Sequence, residues 1–181
     1  MKRITSVILA IALIFALAVT AMAAEIADCT VSADSVSATA GGTVTVPIRI
    51  SGNRGFTNFG IALDYDREQL ELLSIQTAEG ETPYLCGTTV AVNTQWTGTD
   101  EKTFGYVTAA LEEAATADGI LFTATFRVSG DFSGTAAVQP VVQYMRSNKR
   151  LLSVFDAIPV TTVSGTCLLY TSPSPRDLST S

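Results

Sequence analysis

In Gly42-Thr43-Val44-Thr45-Val46-Pro47-Ile48-Arg49-Ile50, the apolar residues Val44, Val46, Ile48 and Ile50 alternate with Thr43, Thr45, Pro47 and Arg49. Successive side chains of a strand point to opposite faces, so this pattern predicts a half-buried strand. Pro47 has no amide hydrogen to donate, which predicts that the strand lies at a sheet edge. A second alternation sends Phe59, Ile61, Leu63 and Tyr65 toward a core and leaves Asn58, Gly60, Ala62 and Asp64 on the outer face. Asp66-Arg67-Glu68-Gln69 then reads as a turn.

The same pattern predicts further strands over 72–77, 90–96, 104–111, 120–128, 135–142 and 151–155, with a last one over 160–166. Turn residues separate them at Gly80, Gly98-Thr99-Asp100, Asp118-Gly119, Gly130-Asp131 and Ser147-Asn148. Many short strands at such spacing predict an all-β sandwich or barrel. No tandem repeat, heptad or helix-length amphipathic pattern competes with that reading.

The two ends depart from the pattern. Lys2 and Arg3, an apolar run from Val7 to Val19 and Ala21-Met22-Ala23 have the order of a secretion signal with an A-x-A cleavage site, so residues 1–23 are expected to be removed on export. The apolar run is short for a bilayer span. At the other end, Cys167-Leu168-Leu169-Tyr170-Thr171-Ser172-Pro173-Ser174-Pro175-Arg176-Asp177 resembles the translation of a common transposase sequencing adapter. Residues 167–181 are therefore expected not to be native, and Cys167 with them. One domain, 24–166, remains, long enough to bury a core without staples.

Of 11 basic and 17 acidic residues, excluding Lys2, Arg3, Arg176 and Asp177 leaves 8 and 16, a net charge of −8 for the expected mature domain. Nucleic-acid affinity is built on Lys and Arg contacts to phosphate, so that balance argues against a nucleic-acid partner. Cys29 and Cys86 survive the trimming. Export permits a disulfide between them, and two separately packed thiols remain the other reading.

The chain has no histidine. That removes Ser-His-Asp and Cys-His devices, imidazole-ligated metals and the commonest general base. Glu112 and Glu113 are adjacent, so on a strand they face opposite ways and are poorly placed to flank one bond. Asp64-Tyr65-Asp66 with Glu68 lacks the glycine and distal glutamate of an EF-hand loop. Cys86-Gly87 has no partner at zinc-ligand spacing. No catalytic residue, cofactor site or metal site is expected. Trp96 with Asn93 and Gln95 has the makings of a sugar-stacking platform, against a core or partner-facing tryptophan. Few other aromatics are expected on an outer face.

Several segments in order resemble a cohesin domain. Gly42-Thr43-Val44-Thr45-Val46-Pro47 is similar to that family's Val-rich opening strand. Gly55 to Asp66 resembles its strand ending in Tyr-Asp, and Leu70-Glu71-Leu72-Leu73 the segment after it. Ala110-Leu111-Glu112-Glu113 and Asp118 to Val128 match its later marks. The resemblance implies a nine-stranded jelly-roll β-sandwich, its last strand cut short. It further implies a non-catalytic docking module of a secreted or cell-surface scaffoldin. Such a module binds dockerins, the paired-helix calcium modules of cellulosomal polysaccharide-degrading enzymes. Calcium would sit on the dockerin and no cofactor on this chain. A carbohydrate-binding sandwich module is the alternative function.

Carried over residue by residue, Asn58 matches the family's dockerin-contacting asparagine, and its outward phase agrees. Gly60 stands where the family often has aspartate, and Ala62 shares the face. Val107, Ala109 and Leu111, ending at Glu112, match the later contacting set. A one-residue slip would instead turn Tyr106, Thr108 and Ala110 outward. Trp96 is expected as an aromatic anchor. Lys149, Arg150 and Leu151, with Arg146 nearby, are expected to complete the face, or to form an ordinary charged loop.

Overall fold

The alternating segments fold as strands of two facing sheets in the computed structural model, which describes residues 29–77, 85, 90–147 and 156–169. In chain order the strands are β1 (Cys29–Ala33), β2 (Val36–Ala38), β3 (Thr43–Ser51), β4 (Phe56–Tyr65), β5 (Leu70–Gln76) and β6 (Val90–Thr97). They continue with β7 (Thr103–Ala115), β8 (Gly119–Val128), β9 (Thr135–Ser147), β10 (Asp156–Ala157), β11 (Val160–Val163) and β12 (Gly165–Leu169). The smaller sheet runs β11-β1-β3-β8-β5 and the larger β2-β12-β9-β4-β7-β6, with β10 paired to β9.

Among the described residues there are twelve strands: β1 and β2 lie ahead of the segments the alternation picks out, the last expected strand is broken into β11 and β12 as it passes between sheets, and β10 is added. β1 pairs in parallel with β11 in one sheet, and β2 in parallel with β12 in the other. The alternation decides the core between the layers. Val46, Ile48, Phe122 and Phe126 enter it from one side, and Phe59, Ile61, Leu63 and Val138 from the other, each fully buried. Tyr65 joins the layers, its ring 5.6 Å from Phe104 and 5.0 Å from Phe126 at edge-on angles. Each such side chain contributes roughly 1.5–3 kcal/mol by leaving water.

The expected edge position of β3 is corrected: the strand lies between β1 and β8. Pro47 is accommodated because β1 has ended beside it. The last register pair is Ala33 with Ile48, and only the Asp34 amide reaches the Pro47 carbonyl, at 2.9 Å. Pro47 therefore has a locally open flank inside an interior strand.

β12 runs to Leu169, three residues past the expected boundary at Thr166. Cys167 is 1% exposed, and its neighbour Leu168 points to solvent, so position 167 fills a place in the core. Cys29 is buried, with its sulfur 4.0 Å from that of Met145, and burial pushes its thiol pKa up. Cys86 and the strand expected over 151–155 lie outside the described residues.

The loop from β3 to β4 is tied to the loop from β7 to β8, so both crossovers between the sheets are fixed at one end. The Asn53 amide nitrogen donates to the Ala115 and Ala117 carbonyls at 2.9 and 2.7 Å, and its oxygen accepts from the Gly55 amide at 3.0 Å. Asp118 accepts from the amides of Gly52 and Asn53. Asn53→Ala is expected to lower stability by about 2–4 kcal/mol in denaturant unfolding, since three hydrogen bonds end together. A loss below about 0.5 kcal/mol would show that solvent replaces them.

Candidate functional site

The outer face of the larger sheet is built by four adjacent strands, β9, β4, β7 and β6. On β4, Asn58, Gly60, Ala62 and Asp64 occupy it, as the alternation predicts, while Phe59, Ile61 and Leu63 are completely buried behind them. Register then decides what flanks them. Asn58 lies between Ala110 of β7 and Arg146 of β9, Gly60 between Thr108 and Tyr144, and Ala62 between Tyr106 and Val141.

Two bulges set that register. In β7, Leu63 pairs with Phe104 but Ala62 pairs with Tyr106, so Gly105 is an extra residue, at φ +64°. In β9, Ile61 pairs with Val142 but Gly60 pairs with Tyr144, leaving Gln143 extra. One added residue exchanges the faces of everything beyond it. Phe104 and Val107 therefore both face the core, and Tyr106 and Tyr144 both turn outward.

The facing expected for β7 is corrected on this ground. Val107 and Ala109 are 1% and 2% exposed and belong to the core, and Leu111 is half-buried against it. Tyr106, Thr108 and Ala110 hold the outer face in their place. A glycine inside a strand signals a bulge, and Gly105 is the sequence feature that marks the slip. Glu112 is exposed at the end of β7. Ala62 is on the expected face but fully buried between its neighbours, so it offers a partner no surface. Lys149, Arg150 and Leu151 lie outside the described residues.

Gly60 is covered as well. A Cβ there would collide with the Tyr106 hydroxyl and come within 2.6 Å of the Tyr144 ring, so the two tyrosines from the flanking strands close over it. The hydroxyls are linked. Thr108 Oγ1 donates to the Phe59 carbonyl at 3.0 Å and lies 2.8 Å from the Tyr144 hydroxyl. The Tyr106 phenol pKa is raised, by burial first and by the neighbouring Tyr144 hydroxyl second.

Aromatic contacts extend the cluster in both directions. The Trp96 ring stands 5.2 Å from Tyr106 at a tilt of 36°, and the Arg146 guanidinium lies 5.0 Å above the Tyr144 ring. The face thus carries Trp96, Tyr106 and Tyr144, more aromatics than the sequence leads one to expect. Asn58 is half-buried, and its side-chain oxygen is buried without a hydrogen-bond partner. Among the described residues no group of three or more His, Cys, Asp or Glu is placed to hold a metal. No helix among them is long and apolar enough to cross a membrane.

A family model described as "Cohesin domain" matches residues 29–153. The fold is similar to the seventh ScaB type I cohesin from Pseudobacteroides cellulosolvens, at 19% identity over 81% of this chain and 96% of that one, with a TM-score of 0.65. It is also similar to the cohesin structure Coh-OlpA-Doc918, a type I cohesin–dockerin complex from Clostridium thermocellum, at 16% identity over 79% and 99% with a TM-score of 0.63. A non-cellulosomal cohesin from the hyperthermophilic archaeon Archaeoglobus fulgidus gives 19%, 86% and 100%, with a TM-score of 0.61. At these identities the likeness is one of fold. No curated protein sequence matches the chain.

Proposed function

The chain belongs to the cohesin family, and from that premise we propose that it is a non-catalytic docking module that binds dockerin domains of polysaccharide-degrading enzymes or scaffoldins. The observation that carries this reading is the outer face of β9, β4, β7 and β6. It carries Tyr106, Tyr144 and Asn58 on the adjacent strands β7, β9 and β4, with Trp96 on the edge strand β6, Arg146 opposite Asn58 and Glu112 near the end of β7. Aromatic and amide groups interleaved with charges on one sheet face are residue types that protein interfaces use as anchors and as specificity contacts.

In this reading Asn58, Trp96 and Glu112 contact the dockerin, with Lys149, Arg150 and Leu151 extending the face. Gly60 acts through the tyrosines that cover it. Val107, Ala109, Leu111 and Ala62 support the face from within. Calcium folds the dockerin and is not held by this chain. Residues 1–23 direct export and 24–166 form the docking domain, acting outside the cell or at its surface. Residues 167–181 derive from adapter sequence, of which Cys167 to Leu169 continue β12 in this chain.

Purified protein is expected to capture at least one of a panel of dockerins in calcium and to release it in chelator, with no retention on insoluble cellulose or xylan. Retention on polysaccharide with no dockerin captured would turn Trp96 and Tyr106 into a glycan platform and end the docking reading.

A further inference from the structure

A cleft of about 270 Å³ opens along one side of the sandwich, where β5, the last strand of the smaller sheet, meets β6, the last of the larger. Its β6 wall is made by a break in pairing. Asn93 pairs with Tyr106 and Thr97 with Phe104, so Thr94, Gln95 and Trp96 stand opposite Gly105 alone and bow out of the ladder. The Asn93 side-chain oxygen accepts from the Gln95 amide at 3.0 Å and holds the bow. Bulges at sheet edges re-aim side chains, and here all three residues line the cleft.

Arg67 enters the same cleft from the turn after β4. Asp66 fixes that turn, accepting from the Glu68 amide at 2.9 Å and from Gln69 Nε2 at 3.0 Å. The Arg67 guanidinium lies 4.3 Å from the centre of the Phe104 ring. It makes no ion pair among the described residues, although the expected mature domain has 16 acidic residues to 8 basic. The neighbouring carboxylate, Glu71, is bound by Arg127 at 3.0 Å. A guanidinium steadied on an aromatic ring, with its donor fork unclaimed, is a receptor for a carboxylate.

Around that charge the wall is hydroxyl, amide and indole, from Thr94, Thr97, Gln95 and Trp96. Aromatic surface beside neutral hydrogen-bonding groups suits a pyranose ring, whose C–H face packs on the indole and whose hydroxyls both donate and accept. A peptide would need an apolar pocket beside its carboxylate, and the apolar floor residues Tyr65 and Phe104 are buried. We propose that this cleft binds an acidic sugar, a uronate at the end or on a branch of a polysaccharide, with its carboxylate on Arg67 and its ring against Trp96. The proposal goes beyond the docking reading and does not rest on it, because Arg67 lies at the edge of the sandwich and not on the docking face. Insoluble cellulose carries no carboxylate for Arg67, in keeping with the absence of retention expected above.

Trp96 is the single tryptophan of the chain, so its fluorescence reads the cleft directly. The purified protein is titrated with a galacturonic acid trisaccharide, with the matching uncharged galactose trisaccharide, and with a tripeptide bearing a free carboxylate. The uronate is expected to give a saturable change, the uncharged sugar to bind about tenfold more weakly, and the peptide to give none. Arg67→Met keeps a flexible stem over Phe104 and removes the charge. It should weaken uronate binding about tenfold while circular dichroism and dockerin capture stay as in the wild type. Gln95→Ala, at an exposed position, is the second variant and should weaken uronate binding about fivefold. Equal binding of the charged and uncharged sugars, uronate binding untouched by Arg67→Met, or binding of the peptide in its place would overturn the acidic-sugar site. So would the absence of any response to the uronate, and dockerin capture, measured on the same protein, would then still stand or fall by itself.

Discussion

Val107→Lys should leave no cooperatively folding protein, whereas Tyr106→Lys, one residue earlier, should fold and lose dockerin capture. Val107 is 1% exposed and pairs across β4 with Ile61, itself fully buried. An ammonium there has no route to water and no carboxylate partner among its core neighbours. An unpaired buried charge costs several kcal/mol, against a total stability of about 5–15 kcal/mol for a domain. Tyr106 stands on the outer face, half-buried, where a lysine stem can lie along the sheet with its head in water. The loss is then one of recognition: an aromatic ring packed against Trp96 is replaced by a cation, two strands from Arg146. Loss of a central anchor of this kind weakens binding by about thirtyfold or more. Thermal unfolding followed by circular dichroism, with dockerin titration of whichever variant folds, measures both halves. A folded Val107→Lys protein would mean that β7 presents its other face.

Gly105→Val is expected to lower the Tm by roughly 10 °C. Two costs add. The residue sits at φ +64°, where a β-branched side chain meets its own backbone at about 1–2 kcal/mol. Its Cβ would also stand 2.7 Å from Leu72 Cδ2 and 3.4 Å from Ile75 Cδ1, which adds about 1–3 kcal/mol of overpacking. Gly60→Ala is the informative comparison, because Gly60 has no positive φ and only the side chains of Tyr106 and Tyr144 need give way. A Tm unchanged by Gly105→Val, measured by scanning calorimetry, would mean that the bulge can be absorbed elsewhere in β7.

Much of the sandwich is legible in the sequence because a strand's two faces are a local matter. The alternation at Val44, Val46, Ile48 and Ile50, and again at Phe59, Ile61, Leu63 and Tyr65, needs only a period of two and one buried side, and all eight residues lie in the core. The outward phase of Asn58 follows from the same count. The absence of histidine and the order of the cohesin-like segments are likewise properties of the chain alone.

Other features depend on pairing between distant strands. Pro47 argues for an edge by its own chemistry, yet whether β3 has a neighbour there is decided by where β1 ends. The outer row of β7 is not Val107 and Ala109 but Tyr106 and Thr108, because Gly105 is extruded when that strand is matched to β4. Gln143 turns Tyr144 outward in the same way on the other side.

The sequence by itself therefore determined the strands from β3 to β9, their buried sides over unbroken stretches, the family and the place of Asn58. The tertiary structure alone decided which side β7 and the end of β9 present, and that two tyrosines from separate strands close over Gly60. The physical reason is that alternation is set within one strand, whereas a bulge is a mismatch between two strands and exists only once they pair.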